Sequence, residues 1–414
     1  MERKIQVQFY SRQSKYSVTD TPILVPTTLK RYGLSEIINH LLALDIPVPF
    51  DFIIDGKFLR TSIDTYLESN SKSTENILQV EFIELSLPPS ESSSLIHDDW
   101  ISATRLHATD PYILSASFDS NLRVWNHSST LVSEMVNPTG NNALKCAEWL
   151  SNDQIIVGDS KHNVLGFNFR DDELQYAYAC KGHEGSIEDL AVSEPLGMFA
   201  SASWDKTIKL WSNDDSDIQT QTISKKSNKK QKIQEVKIKN EKSSLEGHVG
   251  AVSSIVFDES NRNGLFSGSW DHSVRLWDLN LESNVHTMNC EQVVSCIDYS
   301  VQNGLLITGH SDGIIRLWDP RSKDGLLVKM KLSSHKNWVS SITLSKTISD
   351  QFASVSYDGT LKVWDIRSTT PLYTVTCGEG DKMFSVDWQS GLLTTGGEEG
   401  KLHVYLPHNQ SVGA

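Results

Sequence analysis

The chain has 414 residues, and its 52 acidic side chains outnumber its 38 lysines and arginines, giving a net charge of −14. Non-specific binding of nucleic acid needs a basic surface, so this balance argues against that function for the body of the protein. The five cysteines are scattered without a CxxC pair, which predicts neither a zinc site nor a disulfide framework and fits a reducing compartment. The sequence lacks an apolar run of membrane-spanning length and the apolar core of a signal peptide, so we expect a soluble intracellular protein.

Residues 1–86 are predicted to form a small α+β domain. Alternating polar and apolar residues in KIQVQFYS and YSVTDTPILVP predict two strands, FDFIIDGKFLR predicts two more joined by an Asp-Gly turn, and NILQVEFIEL predicts a last strand. A helix that follows Gly33 is predicted by apolar residues at helical spacing, namely Leu34, Ile37, Ile38, Leu41 and Leu42. This order of elements is that of a ubiquitin-like fold.

The remainder of the chain contains a repeated unit that ends in Trp-Asp or a close variant. Five clear copies end near an aromatic marker, and degenerate copies place Phe167 and Tyr405 at the same position. The five clear markers are Trp125, Trp211, Trp277, Trp318 and Trp364. A spacing of about 40 residues with this pattern is typical of a WD40 β-propeller with one copy per blade. Residues 99–407 are therefore predicted to form an all-β propeller of seven blades.

Residues 87–98 join the two predicted domains. Pro88, Pro89 and the serines of SESSS indicate a linker. Little sequence follows Tyr405 to supply the outer strand of the seventh blade, and an unpaired sheet edge invites aggregation. We therefore expect the segment around Ser94–His97 to close the ring as that strand.

An aspartate lies six residues before the marker in five of the repeats, where it is predicted to occupy the turn between the second and third strands. These aspartates are Asp119, Asp205, Asp271, Asp312 and Asp358. In WD propellers such a residue accepts hydrogen bonds from a histidine before the first strand, a role that fits His183 and His248 and, less closely, His335. We interpret these histidines as structural. Lys161 and Glu399 replace the aspartate in blades two and seven, and blades one, two, five and seven lack a Gly-His pair, so their turns are expected to be less rigid.

The distance from Trp211 to Trp277 is 66 residues, about 20 more than the other spacings require. This insertion, residues 213–245, has eight lysines and two acidic residues between Lys225 and Lys242. Its polarity predicts a mobile loop between blades three and four. A candidate nuclear localisation signal is formed by Lys225, Lys226, Lys229, Lys230 and Lys232. Contact with rRNA phosphates and a plain solvated loop are the alternatives.

The stretches LKRYGLSEIINHLL, PVPFDFIIDGKFLRTS and VEFIELSLPPS…HDDWIS resemble the nucleolar WD-repeat proteins of the pescadillo/block-of-proliferation complex, particularly the fungal ones. The Notchless-type assembly factors share the N-terminal domain but carry more repeats, so seven blades favour the first family. The resemblance implies a non-catalytic assembly factor of the large (60S) ribosomal subunit that acts in the nucleolus and nucleoplasm. It also implies a role in pre-rRNA processing, in a trimer with a pescadillo-type protein and a WD-repeat partner of the block-of-proliferation type.

The same resemblance implies a role for the ubiquitin-like domain. In this family the AAA ATPase midasin grips that domain, and a glutamate in the loop before the last strand completes the coordination of a Mg²⁺ ion held by midasin. The matching loop here, SKSTENILQVEF, assigns the role to Glu75. Mg²⁺ prefers oxygen ligands and keeps exchangeable positions, which suits a carboxylate from a partner. An ordinary exposed carboxylate is the alternative, and no cofactor or metal of the chain's own is expected.

Two further sets of residues can each be interpreted in more than one way. Trp204, Trp270, Trp338 and Tyr357 lie in or near predicted loops, where they are candidates either for partner contacts or for packing between blades. The motifs WDPR (Trp318–Arg321) and WDIR (Trp364–Arg367) resemble those by which some propellers engage a cullin-type ubiquitin ligase, so a substrate receptor is an alternative function. The sequence lacks the nucleophile, P-loop and metal-site motifs of common enzymes, and no intrinsic activity is expected.

Overall fold

The structure is a computed structural model. It describes residues 3–13, 15–44, 46–227, 230–258, 260, 263–321, 328–377 and 380–406, with the backbone alone described for residues 215, 221–227 and 230–236. The chain divides into two compact units. The main part of the first is Met1–Pro88, and the second consists of Pro89–Val363 and Tyr373–Leu406.

The first unit contains a five-stranded sheet with the strand order β2-β1-β5-β3-β4 and two helices. Its elements are β1 (Lys4–Tyr10), β2 (Ile23–Pro26), α1 (Arg31–Leu42), β3 (Phe50–Ile54), β4 (Lys57–Phe58), α2 (Ile63–Ser69) and β5 (Leu78–Glu84). Strands β1 and β5 pair in parallel, and the other neighbours are antiparallel. Alternate residues of β1 and β5, such as Val7 and Val80, are buried in the same core as Leu34 and Ile38 of α1. This is the predicted ubiquitin-like topology.

Three details of this unit differ from the prediction. Helix α1 begins at Arg31, so Gly33 lies in its first turn rather than before it. Leu41 is 37% exposed because the buried face of the helix runs through Leu34 and Ile38. The short helix α2 was not predicted, although its N-terminal signal is present: the Ser62 hydroxyl accepts a hydrogen bond from the backbone N–H of Thr65 at 3.3 Å.

The second unit contains seven sheets that correspond to the seven predicted blades. Its first strand is β6 (Ser90–Ile96). Blades one to three begin with β7 (Ile101–Leu106), β8 (Tyr112–Ser117), β9 (Asn121–Asn126), β10 (Leu131–Val136), β11 (Leu144–Ser151), β12 (Gln154–Asp159), β13 (Val164–Arg170), β14 (Glu173–Lys181), β15 (Ile187–Ser193), β16 (Met198–Ser203) and β17 (Ile208–Ser212). Three strands of the insertion region follow, β18 (Ile218–Ser227), β19 (Lys230–Asn240) and β20 (Ser243–Leu245).

Blades four to seven complete the propeller. Blades four and five comprise β21 (Val252–Asp258), β22 (Gly264–Ser269), β23 (Ser273–Asp278), β24 (Ser283–Asn289), β25 (Val294–Ser300), β26 (Leu305–His310), β27 (Ile314–Trp318) and β28 (Val328–Ser333). Blades six and seven comprise β29 (Val339–Leu344), β30 (Gln351–Ser356), β31 (Thr360–Asp365), β32 (Tyr373–Thr376), β33 (Met383–Gln389), β34 (Leu392–Gly397) and β35 (Lys401–Leu406). The first strand of each blade packs against the first strand of the next, so these strands line the central channel.

Strand β6 completes the seventh blade. It pairs antiparallel with β35 in a register that aligns Ile96 with Lys401, so the outer strand of the last blade comes from the segment before the first blade. The inner strands of these two blades are joined as well, because the Asp387 carboxylate accepts a hydrogen bond from the backbone N–H of Leu106 at 2.7 Å. The ring is therefore closed at both its outer and its inner strands.

The predicted lysine-rich loop is wrong in both its conformation and its position. Strands β18 and β19 form an antiparallel hairpin, and β19 pairs in parallel with β14, which makes blade two a six-stranded sheet. Because β20 then returns as the outer strand of blade three, the insertion lies within blade three rather than between blades three and four. Of the candidate lysines, Lys229 lies outside the described residues. The side chains of the other four, Lys225, Lys226, Lys230 and Lys232, are also outside the described part of the chain.

The inner end of this hairpin shows why the segment is ordered there. Ile238 is 3% exposed, and the buried Lys239 ammonium donates a hydrogen bond to the backbone carbonyl of Ser212 at 2.8 Å. The same ammonium lies 4.5 Å from the centroid of the Tyr178 ring. The backbone of β19 finds its hydrogen-bond partners at the outer edge of β14. The composition of the lysine-rich segment does not reveal that this edge is available for pairing. Polarity alone therefore predicted the wrong structure.

Ring closure by β6 makes a testable prediction with an internal control. Leu95 is 4% exposed and packs with Ile101 and Leu402, whereas its neighbour Ile96 is 73% exposed on the opposite face of the strand. We expect Leu95→Ala to lower the free energy of unfolding by about 2–5 kcal/mol, because it leaves a cavity in the closing blade. Ile96→Ala is expected to change it by less than about 0.5 kcal/mol. Urea denaturation of both variants checks this, and equal losses would contradict the assigned role of β6.

Candidate partner-binding surfaces

The predicted turn residues form a repeated hydrogen-bond chain in blades three, four and six. In blade three, His183 lies 2.7 Å from Asp205 through Nδ1 and 2.7 Å from the Ser201 hydroxyl through Nε2. The indole N–H of Trp211 donates to the same hydroxyl at 2.8 Å. Burial raises the pKa of Asp205, but hydrogen bonds from His183, Thr207 and the backbone outweigh it and hold that pKa well below its usual value. The aspartate is therefore an ionised acceptor that fixes the turn.

Blades four and six repeat this arrangement. His248 lies 2.8 Å from Asp271 and 2.7 Å from Ser267. His335, the weaker match in sequence, lies 3.1 Å from Asp358 and 2.8 Å from the Ser354 hydroxyl. The imidazoles of these histidines are buried and their ring nitrogens face polar partners, which supports the structural interpretation.

Blade one uses a histidine that the sequence analysis did not identify. His97 lies 2.8 Å from the Ser115 hydroxyl, which also accepts from the Trp125 indole at 2.9 Å. Asp119 is bound instead by the guanidinium of Arg123 at 2.7 Å. The available signal was the spacing, because His97 precedes Ser115 by the same 18 residues that separate His183 from Ser201.

Blade five also replaces the histidine–aspartate contact with an arginine. His310 lies 2.7 Å from the Thr308 hydroxyl, and Arg316 pairs with Asp312 at 2.8 Å. Burial lowers the pKa values of His97 and His310 to about 4, followed in each case by the repulsion of the neighbouring arginine, so both are neutral at pH 7. The absence of a Gly-His pair thus leaves the turn aspartates of blades one and five with ion-pair partners.

Blades two and seven depart further from the repeat. In blade two the fully buried Asp159, two residues before Lys161, accepts hydrogen bonds from the backbone N–H groups of Lys161 at 2.9 Å and Asn163 at 2.8 Å. In blade seven Glu399 pairs with Lys401 and lies 3.5 Å from His403. An acidic side chain therefore still contacts a partner at each of these turns, although in blade two it comes from a position that the spacing did not indicate.

Glu75 lies in the loop between α2 and β5 of the ubiquitin-like unit. Its side chain is exposed, and its backbone N–H donates to the Ser73 hydroxyl at 3.2 Å. The loop is anchored at its start, where the backbone N–H of Lys72 donates to the carbonyl of Leu67 at 2.9 Å, and at its end by the buried Leu78. Among the described residues, none forms an ion pair with the Glu75 carboxylate. The geometry therefore presents this carboxylate to solvent from a short tethered loop.

The four aromatic candidates of the propeller lie together. The ring centroids of Trp204 and Trp270 are 5.2 Å apart, those of Trp270 and Trp338 are 5.9 Å apart, and those of Trp338 and Tyr357 are 6.3 Å apart. Trp204 is 49% exposed and Trp270 is 41% exposed, while the other two are half-buried. The rings therefore pack on each other between blades, as one alternative of the sequence analysis predicted, and contact with a partner stays a prediction for the exposed ones.

The arginines of the two Trp-Asp-x-Arg motifs pair with the aspartates of their own repeats. Arg321 pairs with Asp319 at 3.0 Å, and the Nε of Arg367 donates to Asp365 at 2.7 Å. Each guanidinium thus neutralises the aspartate of its own repeat. This is repeat chemistry and lends no support to a ligase-adaptor contact.

Within the described residues, no three His, Cys, Asp or Glu side chains come together in a way that would hold a metal ion. In the same part of the chain, no helix is long and apolar enough to cross a membrane. The described surfaces of interest are therefore the Glu75 loop and the aromatic cluster of the propeller.

Comparison with known proteins shows the family to which the chain belongs. Residues 5–67 match the NLE (NUC135) domain, residues 91–126 and 174–212 match the WD domain, G-beta repeat, and residues 254–405 match the N-terminal domain of Nucleolar protein 10-like proteins. The ribosome biogenesis protein WDR12 homolog of Nematostella vectensis is 34% identical over 97% of this chain and 99% of its own length. The ribosome biogenesis proteins ytm1 of Schizosaccharomyces pombe (34% identical, 97% of this chain and 96% of the relative) and YTM1 of Meyerozyma guilliermondii (32%, 99% and 97%) match equally fully. The chain therefore belongs to the WDR12/Ytm1 family of ribosome biogenesis proteins, as the sequence resemblance predicted.

Proposed function

We propose that this protein is a non-catalytic assembly factor of the large ribosomal subunit. The observation that carries the proposal is the match to relatives named ribosome biogenesis proteins, which covers 97% of the chain and so includes both units. The alternative of a cullin-type substrate receptor has no support from these relatives. A propeller suits the proposed role, because its closed ring of sheets presents side chains on a firm scaffold.

The propeller is proposed to dock on a WD-repeat partner of the block-of-proliferation type, in a complex with a pescadillo-type protein on the large-subunit precursor. Exposed aromatic side chains are frequent anchors of protein interfaces, and Trp204 and Trp270 meet that description. The complex acts in pre-rRNA processing and is located in the nucleolus and nucleoplasm, where precursor particles form.

The ubiquitin-like unit is proposed as the part that midasin grips. The exposure of Glu75, the short tethered loop that carries it and the absence of an ion-pair partner among the described residues all support a carboxylate available to a Mg²⁺ ion held by another protein. Force from ATP hydrolysis, applied at this unit, would then remove the complex from the precursor particle.

The Glu75 assignment is tested by affinity purification of the full chain from cells. Glu75→Gln removes the charge while keeping the shape, and we expect recovery of midasin to fall at least about tenfold, because a metal ligand is lost. Glu36→Ala, which removes an exposed carboxylate from α1, is the matched control and is expected to retain midasin. The propeller partner should co-purify with both variants.

Three results of this purification have distinct meanings. Midasin retained by Glu75→Gln would overturn the metal-ligand role. Loss of every partner from both variants, with unchanged unfolding by urea, would overturn the trimer assignment. Recovery of cullin and its adaptor in place of precursor-particle proteins would overturn the proposed function itself.

Nuclear import is proposed to depend on the lysine cluster of the insertion. Replacing Lys225, Lys226, Lys229, Lys230 and Lys232 together by glutamine is expected to abolish nuclear accumulation of a fluorescent fusion, because import signals of this class require clustered positive charge. A control with glutamine at the exposed Lys161, Lys181 and Lys206 should enter the nucleus normally. If the five-lysine variant reaches the nucleus but loses crosslinks to rRNA, the lysines bind RNA instead.

A further inference from the structure

Seven aromatic rings form a continuous arc, which we call the aromatic collar, at one end of the propeller channel. Its members, in order of contact, are Trp204, Trp270, Trp338, Tyr357, Phe384, Trp100 and Phe118. Consecutive ring centroids are 5.2–6.3 Å apart. The collar draws on blades one, three, four, six and seven, so it is built by the assembled ring and not by any single repeat.

The backbone holds these residues at one level of the propeller. The residue that precedes the turn acid donates its N–H to the carbonyl just before the first strand, as Phe118 does to Trp100 and Tyr357 does to Trp338, both at 2.9 Å. Trp204 and Trp270 make the corresponding bonds to Ser186 at 3.0 Å and to Ala251 at 2.9 Å. Equivalent positions in successive blades lie at the same end of the channel, so the rings share one face.

The collar opens into the channel. Phe384 is both a member of the collar and a lining residue of the channel, whose volume is about 470 Å³. Lys145 and Glu188 also line the channel, and they lie at the two ends of the arc: Lys145 is 4.8 Å from the Phe118 centroid, and Glu188 contacts the indole N–H of Trp204. The arc of rings is open on one side of the channel mouth. Lys145 lies at one end of this opening and Glu188 at the other.

These three lining residues occupy the same position in their inner strands. The corresponding serines of the other blades, such as Ser253 and Ser340, donate hydrogen bonds to the next blade, at 2.7 Å to Val294 and 2.6 Å to Met383. Lys145, Glu188 and Phe384 take that position in blades two, three and seven. At these three positions, the serine whose hydroxyl links one blade to the next is replaced by a residue with a larger side chain, which lies at the channel mouth.

The charge of the site favours a cation. Six acidic and three basic side chains line the channel, and the whole chain carries a net charge of −14. Burial raises the pKa values of Asp189, Asp298 and Asp387 in the channel, and a cation near them favours their charged forms, as Arg105 and Lys346 do. Phe118 already accepts the ammonium of Lys145 on its face, whereas Trp100, Trp204 and Trp270 remain 39–49% exposed.

From this geometry we propose that the collar binds an extended segment of another protein by inserting an arginine side chain from that segment into the channel mouth. The guanidinium stacks on the exposed indoles of Trp204 and Trp270 and pairs with Glu188. Arginine fits better than lysine because its planar group stacks on aromatic faces and is more weakly hydrated. The inference does not depend on the ribosomal role, because it rests only on the contacts and charges of the propeller.

The proposal is tested on the full chain labelled with 5-fluorotryptophan, whose resonances report contacts at each indole. The probes are acetylated heptapeptides, Gly-Ser-Gly-X-Gly-Ser-Gly, with Arg, Leu or Glu at the central position, and a decamer of uridine. We expect the arginine peptide alone to shift the Trp204 and Trp270 resonances at about millimolar concentration. Trp→Phe variants at these positions assign the signals.

Charge variants make the test specific. Glu188→Gln is expected to weaken binding of the arginine peptide by about tenfold, since it removes the opposite charge at the mouth. Lys145→Gln is expected to strengthen binding by about threefold or more, since it removes a competing cation. Leu281→Ala, at a residue 72% exposed on blade four outside the collar, serves as a control and should leave binding unchanged.

Several outcomes would overturn the proposal. Equal shifts with the leucine peptide would show an apolar surface without charge preference. Larger shifts with the uridine decamer would assign the collar to RNA. Weaker binding after Lys145→Gln, or unchanged spectra at about 10 mM arginine peptide, would remove the basis for an arginine site.

Discussion

Closure of the ring is the constraint on which the propeller depends. A blade leaves unpaired backbone groups at its outer edge, and the inner strands need partners on both sides. The chain meets both needs at one junction, where β6 pairs with β35 and the Asp387 carboxylate accepts from the backbone of Leu106. Residues from the two ends of the propeller sequence must therefore meet before the seventh blade is complete.

Three residues at the channel mouth are departures from a repeated serine of the inner strands. Where the repeated serine is kept, as at Ser253, its hydroxyl ties one blade to the next. Where it is replaced by Lys145, Glu188 or Phe384, the side chain lines the channel and meets a ring of the collar. These three positions give up a bond between blades and place two charges and one aromatic ring beside the collar.

Much of the architecture was predictable because it follows from local sequence patterns. The spacing of the aromatic markers predicted seven blades, and the order of strands and helix predicted the ubiquitin-like unit. The turn aspartates with His183 and His248 were predictable too, since each pair lies within one repeat, 22 and 23 residues apart. Glu75 was assigned by resemblance, and the structure adds only that its loop is exposed and tethered.

By itself, then, the sequence determined the domain types, the number of blades and the residues that hold the regular turns, because periodicity and short spacings report local structure. Only the tertiary structure decided that the lysine-rich segment joins blade two, since its partner strand β14 lies far away in sequence and polarity does not encode pairing. The same holds for the collar, because its rings come from five blades that only the closed ring brings within contact distance. Asp159 and His97, in contrast, have partners nearby in sequence, and they were missed because they depart from the pattern of the regular repeats.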